Sequence, residues 1–287
     1  MNDESLDVLM ITHQRPDYVK LSLPRLLDGL DESSRLWLWH NGDDVETRKV
    51  VESYSSHPRV FQYHYSPENL GLRTPTNWMW KSAAGAFVSK IDDDCLIPDG
   101  WLEGHRTAHR NSPTVGVTGS WRFYDEDFRP DDALAKVQTL NNGIQLMRNH
   151  WVQGSGYLAK RSLIDLNGPL KDGESFPDWC IRAAKAGFIN GWVFPFLHEE
   201  HMDDPRSPWT MYTSDEIFMK YRPLSAFQTG VVTLDGWTEQ MKRSAYDLQR
   251  ASLDIRDYGG LRLKWKNART RLQRVPLLRQ FLELRAP

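Results

Sequence analysis

The chain predicts an α/β protein: a mostly parallel sheet flanked by helices, with a helical C-terminal extension. Three observations carry this reading. Four short apolar runs lie within the first 91 residues, separated by segments of helix formers. Such alternation makes βαβ units, which build parallel sheets. Polar clusters close three of those runs, at Thr12–Arg15, Asn41–Asp44 and Asp92–Asp94. The composition, 40% hydrophobic and 26% charged among 287 residues, is that of an ordinary globular chain. It excludes disordered, collagenous and fibrous classes, and no internal repeat is visible.

The first run, Asp7–Thr12, reads as a buried strand. Pro16 suits the first turn of the next helix, which Leu21, Leu23, Leu26, Leu27 and Leu30 continue, with a kink at Pro24. Leu36–Trp39 is the second strand, closed by His40–Asp44, and a polar helix runs on to about Ser56. Val60–Tyr65 alternates and reads as the third strand. A loop from Ser66 to Arg73 leads into a helix around Thr76–Ala84, and Ala86–Ile91 is the fourth strand. In the less regular second half, Val115–Tyr124, Gly143–Arg148, Ser155–Ala159 and Phe188–Phe194 read as strands. A short helix starts at Lys160, and Pro177–Ala186 is a helix ended by Gly187. A polar loop rich in His and Asp covers 196–208, and helices are expected over Trp209–Tyr221 and much of 236–256.

Net charge is −2, so no global field recruits nucleic acid. The total hides a split. Residues 261–287 carry eight basic residues and one acid, or +7, leaving −9 on the first 260. The tail's cations interleave with Leu261, Leu263, Trp265, Phe281 and Leu282, which suits an interfacial helix on anionic lipid, an oligomer contact or a helix on the acidic body. Cys95 and Cys180 make no disulfide framework, and reduced cytosol fits them. The acidic N-terminus is unlike a signal peptide, and no apolar run approaches the ~20 residues of a membrane span. The expected location is cytoplasmic, at most peripheral at the inner membrane surface.

In open α/β sheets, ligands bind beyond the carboxyl ends of strands. The sharpest feature there is Asp92-Asp93-Asp94. Adjacent acids repel one another unless solvated or met by a cation, and hard divalent ions take oxygen ligands. A capped turn would use the same residues. His198 and His201 reach one ion only if their loop turns tightly; Mn²⁺ tolerates histidine better than Mg²⁺ does. Among the 12 Trp, Trp121, Trp151 and Trp209 fall near strand ends, where a flat sugar face can stack, although core packing is the commoner use.

Five stretches together resemble a known family: VLMITHQRPDYVKLSLPRLL, LWLWHNGDD, SPENLGLRTPTNWMWKSAAGAFVSKIDDDCLIPDGWL, WVQGSGYLAKRSLIDLNG and DWCIRAAKAGF, spanning roughly 7–195. They look like the GT-A nucleotide-sugar glycosyltransferases, closest to the inverting family 2 type. The resemblance implies a nucleotide-sugar-binding half over 1–110, an acceptor-binding and catalytic half over 111–225, and a basic helical extension over 226–287. It assigns Thr12, Arg15, Asn41, Asp43, Asn69, Arg73, Asp92 and Asp93 to the nucleotide sugar; His40 and Asn41 stand where the family has two acids, for which Asp43 or Asp44 substitutes. It makes Asp94 the metal ligand, with His198 or His201 completing the shell of a Mn²⁺ or Mg²⁺ ion. Trp121, Trp151 and Gly154 fall to the acceptor. The family's Glu-Asp pair is replaced by Ser175 and Phe176, so the implied general base is Asp178, with Glu174 second. Asp178 equally suits a helix N-terminus as a capping acid.

The implied reaction is transfer of a sugar from a UDP, GDP or dTDP donor to a hydroxyl of a glycan or lipid-linked acceptor, with inversion, as in cell-surface polysaccharide synthesis. One rival is a sugar-phosphate nucleotidyltransferase, against which Thr12-His-Gln-Arg-Pro16 lacks the Gly-rich phosphate loop. The other is a non-catalytic carbohydrate-binding or scaffold protein with a decayed site.

Overall fold

Leu6–Thr12 forms β1, and all seven residues are buried. A strand buried on both faces needs helices on both sides of its sheet. A computed structural model describes residues 4–259 apart from 111 and 142. The first half continues through α1 (Pro16–Gly29), β2 (Ser34–Asn41), α2 (Val45–Ser53), β3 (Val60–Ser66), α3 (Arg73–Ser82) and β4 (Phe87–Asp92). Pro16 sits in the first turn of α1, which runs through Pro24 as one helix.

The second half holds β5 (Cys95–Leu96), α4 (Trp101–His109), β6 (Val115–Gly119), α5 (Pro130–Leu134), β7 (Val137–Thr139), β8 (Gln145–Asn149) and β9 (Tyr157–Lys160). It continues with α6 (Arg161–Asn167), α7 (Phe176–Lys185), β10 (Ile189–Phe194), β11 (Glu200–His201), α8 (Asp215–Lys220), α9 (Leu224–Thr229) and α10 (Leu234–Gln249).

Nine strands form one sheet in the order β3-β2-β1-β4-β9-β6-β10-β8-β7. The β3-β2-β1-β4 block is wholly parallel, so its carboxyl ends share one edge. Register places Ile11 opposite Asp92 and Thr12 opposite His40. β9 enters antiparallel between β4 and β6. β10 is parallel to β6, and β8 and β7 complete the far edge.

Expectation fails at a long-range bridge, at a local cap and at short elements. The strand expected over Val115–Tyr124 ends at Gly119, because the chain leaves the sheet and bridges Trp121 to His198. The helix expected over Trp209–Tyr221 covers only Asp215–Lys220, started by the Ser214 side chain capping the Ile217 amide. β5, α4, α5, β7, β11 and α9 were not anticipated. Most are too short to show a period.

Eight tryptophans, at 37, 39, 80, 101, 121, 179, 192 and 237, are buried. At about 25 cal/mol per Å² each contributes roughly 4–6 kcal/mol of burial, which accounts for the Trp-rich composition. Trp237, Met241, Ala245 and Leu248 of α10 belong to the same core as Trp179 and Trp192. The described helices past residue 225 are therefore part of the main body, a compact unit reaching Ala251. Residues 252–259, assigned to a second unit, contain a 3-10 turn at Ile255–Tyr258 in which Arg256 pairs with Asp254. The basic segment 261–287 lies outside the described residues. Among the described residues no helix is long and apolar enough to cross a membrane.

Candidate active site

A cleft of about 670 Å³ opens where β1, β2 and β4 end. Its floor is made by two reversals of the chain. Beyond β1, Gln14 takes a left-handed conformation (φ 52°) and Arg15 precedes Pro16 at the start of α1. Beyond β4, the chain passes through Asp93 and Asp94 into β5, which pairs antiparallel with β11. That two-residue ribbon sets Cys95 opposite His201, and the Met202 amide donates to the Asp94 carbonyl at 2.8 Å. His201 Nε2 therefore lies 3.9 Å from Asp94 Oδ2.

Arg15 occupies the centre. It donates to Asp93 Oδ1 at 2.8 Å and to Asp203 Oδ2 at 2.6 Å, and lies 3.3 Å from Asp94 Oδ2. The His13 amide donates to Asp93 Oδ2 at 3.0 Å, and the Tyr212 hydroxyl to Asp203 Oδ1 at 2.8 Å. Asp92, the first acid of the triplet, pairs with Lys90. Three buried carboxylates thus share one guanidinium.

Burial pushes Asp93 and Asp203 above the usual carboxylate range, and Arg15 only partly offsets it. Burial acts on Asp94 too, but Arg15, His201 and hydrogen bonds from Asp203 and Cys95 outweigh it and hold that carboxyl down. Burial, then Arg122, lowers His201 to about 4, so its imidazole is neutral with a lone pair free for a metal. Burial also raises the Cys95 thiol, which stays protonated and donates to Asp94 Oδ1 at 3.2 Å. The ligand atoms of Asp94, Cys95 and His201 lie within 4.8 Å of one another.

Of the residues expected from sequence, Arg15, Asn41, Asn69, Asp92, Asp93, Asp94 and His201 all line the cleft. Asn41 accepts from Trp39 Nε1 and the Leu70 amide and donates to the Gly71 carbonyl, so it anchors the loop that carries Asn69. Asn69 in turn lies 3.3 Å from His13 Nε2.

The others sit elsewhere. Thr12 is buried beneath the cleft against His40, at 3.0 Å. Asp43 is exposed, and Asp44 caps α2 through the Thr47 amide. Arg73 pairs with Asp172 at 3.4 Å. His198 is held by the Phe123 carbonyl at 3.2 Å, because the bridge to Trp121 fixes its register away from Asp94. Trp121 stacks on Phe196 in the core, Trp151 packs edge-on against Trp192, and Gly154 faces Phe176. Asp178 is exposed and forms a capping box with Ser175 at the start of α7, while Glu174 is held by Arg182.

Sequence reasoning missed three cleft-forming features: Asp203 with its partner Tyr212, Arg122, and the segment from Met219 to Gln228 that walls the cleft. Only Asp203 left a signal, as one of several acids in the 198–204 cluster.

Parallel strands whose carboxyl ends carry an acidic triplet, with a late histidine returned to the last acid, gather these groups at the edge where open α/β sheets take their ligands. The model for glycosyl transferase family 2 matches residues 7–159, more than half of the chain, and the chain belongs to that family. Among solved structures, the fold resembles the mannosyltransferase PcManGT from Pyrobaculum calidifontis, in complex with GDP-Man and Mn²⁺. The TM-score is 0.55 at 14% identity, over 98% of this chain and 85% of that one. GalNAc-T7 with UDP, GalNAc and Mn²⁺ gives 0.56 at 12%, over 86% and 57%. TarS 1-349 of S. aureus gives 0.50 at 16%, over 66% of this chain and 57% of that one. This chain thus spans little more than half the length of that TarS fragment. A comparison with curated proteins found no match.

Proposed function

We propose that this protein transfers a sugar from a nucleoside-diphosphate sugar to a hydroxyl of a glycan or lipid-linked acceptor, with inversion, in cell-surface polysaccharide synthesis. The observation that carries the reading is the meeting of Asp94 and His201 beside Arg15 at the carboxyl ends of β1 and β4. Three solved relatives in fold were captured with GDP-Man, UDP-GlcNAc or UDP, two of them with Mn²⁺. The donor set fits such an ion. One carboxylate and one neutral imidazole suit Mn²⁺ better than Mg²⁺, and the protonated Cys95 does not compete as a thiolate. When bound, the ion offsets the charge of the departing diphosphate.

The chain's own residues do the rest. Arg15 holds Asp93 and Asp203 in place, and Asn41 and Asn69 form the wall against which the nucleotide lies. For proton removal from the acceptor, Asp178 is favoured over Glu174. Glu174 has both oxygens engaged by Arg182 and the Lys171 amide, whereas only Asp178 Oδ2 is used in its capping box. Neither acid lines the cleft; Asp92 does, so Asp92→Asn and Asp178→Asn are to be compared in one assay.

The test is binding of UDP, GDP and dTDP with and without Mn²⁺, followed by donor hydrolysis. Metal-enhanced binding of one of them is expected, and no such binding by folded protein overturns the reading. The non-catalytic alternative rests on Phe176, which stacks on Tyr157 at 4.1 Å where the family resemblance expects an acid. Hydrolysis abolished by Asp94→Ala removes that alternative. A cytoplasmic protein peripheral to the inner membrane surface is proposed on the charge of 261–287 alone. Equal vesicle sedimentation of the full chain and of 1–260 counts against it.

A further inference from the structure

Arginines around the cleft are mostly saturated. Arg15 serves Asp93, Asp94 and Asp203, and Arg206 serves Glu126, Asp127 and Asp204. Arg222 donates to the Val231 carbonyl and lies over Phe227. Arg122 differs from all three. It lines the cleft together with Asp92, Asp94 and His201. Among the described residues its guanidinium makes no hydrogen bond or ion pair, and its Nε is buried without a partner. Its ring neighbour Phe123 lies 6.0 Å away, at the limit of cation–π range.

The backbone that carries Arg122 is held firmly. The Trp121 amide donates to the Leu197 carbonyl at 2.8 Å, and the Glu199 amide donates to the Trp121 carbonyl at 2.7 Å. Trp121 and Phe123 on either side are both buried, 2% exposed each. Arg122 as a whole is half-buried, and its one unmet, buried N–H is costly. Its planar fork matches a carboxylate or phosphate in a bidentate manner.

We propose that Arg122 binds an oxyanion of the substrate, a phosphate or a carboxylate, and thereby sets substrate specificity in this cleft. The inference takes the cleft as a substrate site, as the proposed function does, but needs neither the nucleotide nor the metal. The oxyanion has two sources: the donor diphosphate, or an acidic group on the acceptor or transferred sugar.

The experiment titrates wild type, Arg122→Lys and Arg122→Gln with pyrophosphate and with glucuronate, in the absence of nucleotide and metal. It then repeats the titration with UDP and GDP in Mn²⁺. If the diphosphate is the source, Arg122→Gln loses tenfold or more in affinity for pyrophosphate and for the nucleotide, with glucuronate unchanged. If an acidic sugar is the source, glucuronate binding falls and the other two hold. Arg122→Lys keeps part of the affinity in either case. The thermal midpoint of Arg122→Gln stays within about 2 °C of wild type, because no hydrogen bond or ion pair is lost, only a longer-range attraction to Glu199 and the distant Phe123 ring. Equal anion affinities in wild type and Arg122→Gln overturn the inference, as does a wild type that binds neither anion. A wild type that binds the anions through Arg122 but binds no nucleotide leaves this inference standing and removes the proposed function.

Discussion

Asp7 and Asp203 are both buried, 0% and 1% exposed, yet their surroundings treat them in opposite ways. Asp7 lies at the amino end of β1. Its Oδ1 accepts from Arg35 Nε and Trp37 Nε1, and its Oδ2 accepts from Arg35 and the Ala84 and Gly85 amides. Burial alone would raise its pKa, but these donors outweigh it and hold the carboxyl low. Asp203 lies beyond the carboxyl end of β1 and shares Arg15 with Asp93 and Asp94. There burial wins, and the pKa rises. With Asp203 protonated and His201 and Cys95 neutral, ionised Asp93 and Asp94 against Arg15 leave the upper cluster at −1. One end of the sheet completes its own charges. The other leaves a deficit that a cation, and then an anionic substrate, can complete.

The sharpest way to break the contrast is to remove each acid. Asp94→Ala should lower metal-dependent donor turnover on the order of 10³-fold, a far larger effect than the modest stability lost with its contacts to Arg15 and Cys95. Donor hydrolysis and urea unfolding measured together check both halves. Asp7→Ala should do the reverse: a loss of about 3 kcal/mol in unfolding free energy, with turnover per folded molecule intact. A loss well under 1 kcal/mol there would show that the lower cluster is no more structural than the upper one.

A neutral network beneath the cleft sharpens the comparison further. His105 Nδ1 lies 2.8 Å from Thr118 Oγ1 and its Nε2 3.1 Å from Ser120 Oγ, and His109 Nε2 lies 3.1 Å from the same Thr118 oxygen. Burial lowers His105 to about 3 and His109 well below its ordinary value. Between those values and about 6.5 the unfolded chain binds more protons than the folded one. The stability they support is therefore complete above about pH 6.5 and is lost as pH falls below it, approaching ~1.4 kcal/mol per pH unit for each histidine. Asp203 and Glu199, whose pKa values burial raises, act in the opposite sense over this range, so the histidine contribution is read by difference: from pH 7.5 to 5.5, His105→Gln should lose less unfolding free energy in urea than wild type does.

The smallest expected effect is at α7. Ser175→Ala should cost about 1 kcal/mol by opening the capping box. Turnover unchanged in that variant, but lost in Asp178→Asn, would separate Asp178 as a proton acceptor from Asp178 as a cap.

How much of the site was legible depended on sequence distance. Asp92–Asp94 stand directly after an apolar strand, and Arg15 directly after another, so local pattern put both at one sheet edge. The capping role of Asp178 was also open to a local reading, because Ser175 precedes it by three residues. That His201 rather than His198 stands beside Asp94 was not. It hangs on the pairing of β5 with β11 and on the Trp121–His198 bridge, and two-residue contacts between distant segments leave no periodicity. Trp121 looked like a sugar platform until its stacking on Phe196 placed it in the core.

By itself, the sequence determined the parallel β3-β2-β1-β4 block and the edge at which chemistry gathers, because burial on both faces writes near-continuous apolar runs into the chain. Only the tertiary structure decided how the charges are shared there. Arg15 meets Asp93 across 78 residues and Asp203 across 188, and Arg122 is left with no hydrogen bond or ion pair among the described residues. Electrostatic interaction depends on separation in space and on burial, and neither quantity is carried by order along the chain.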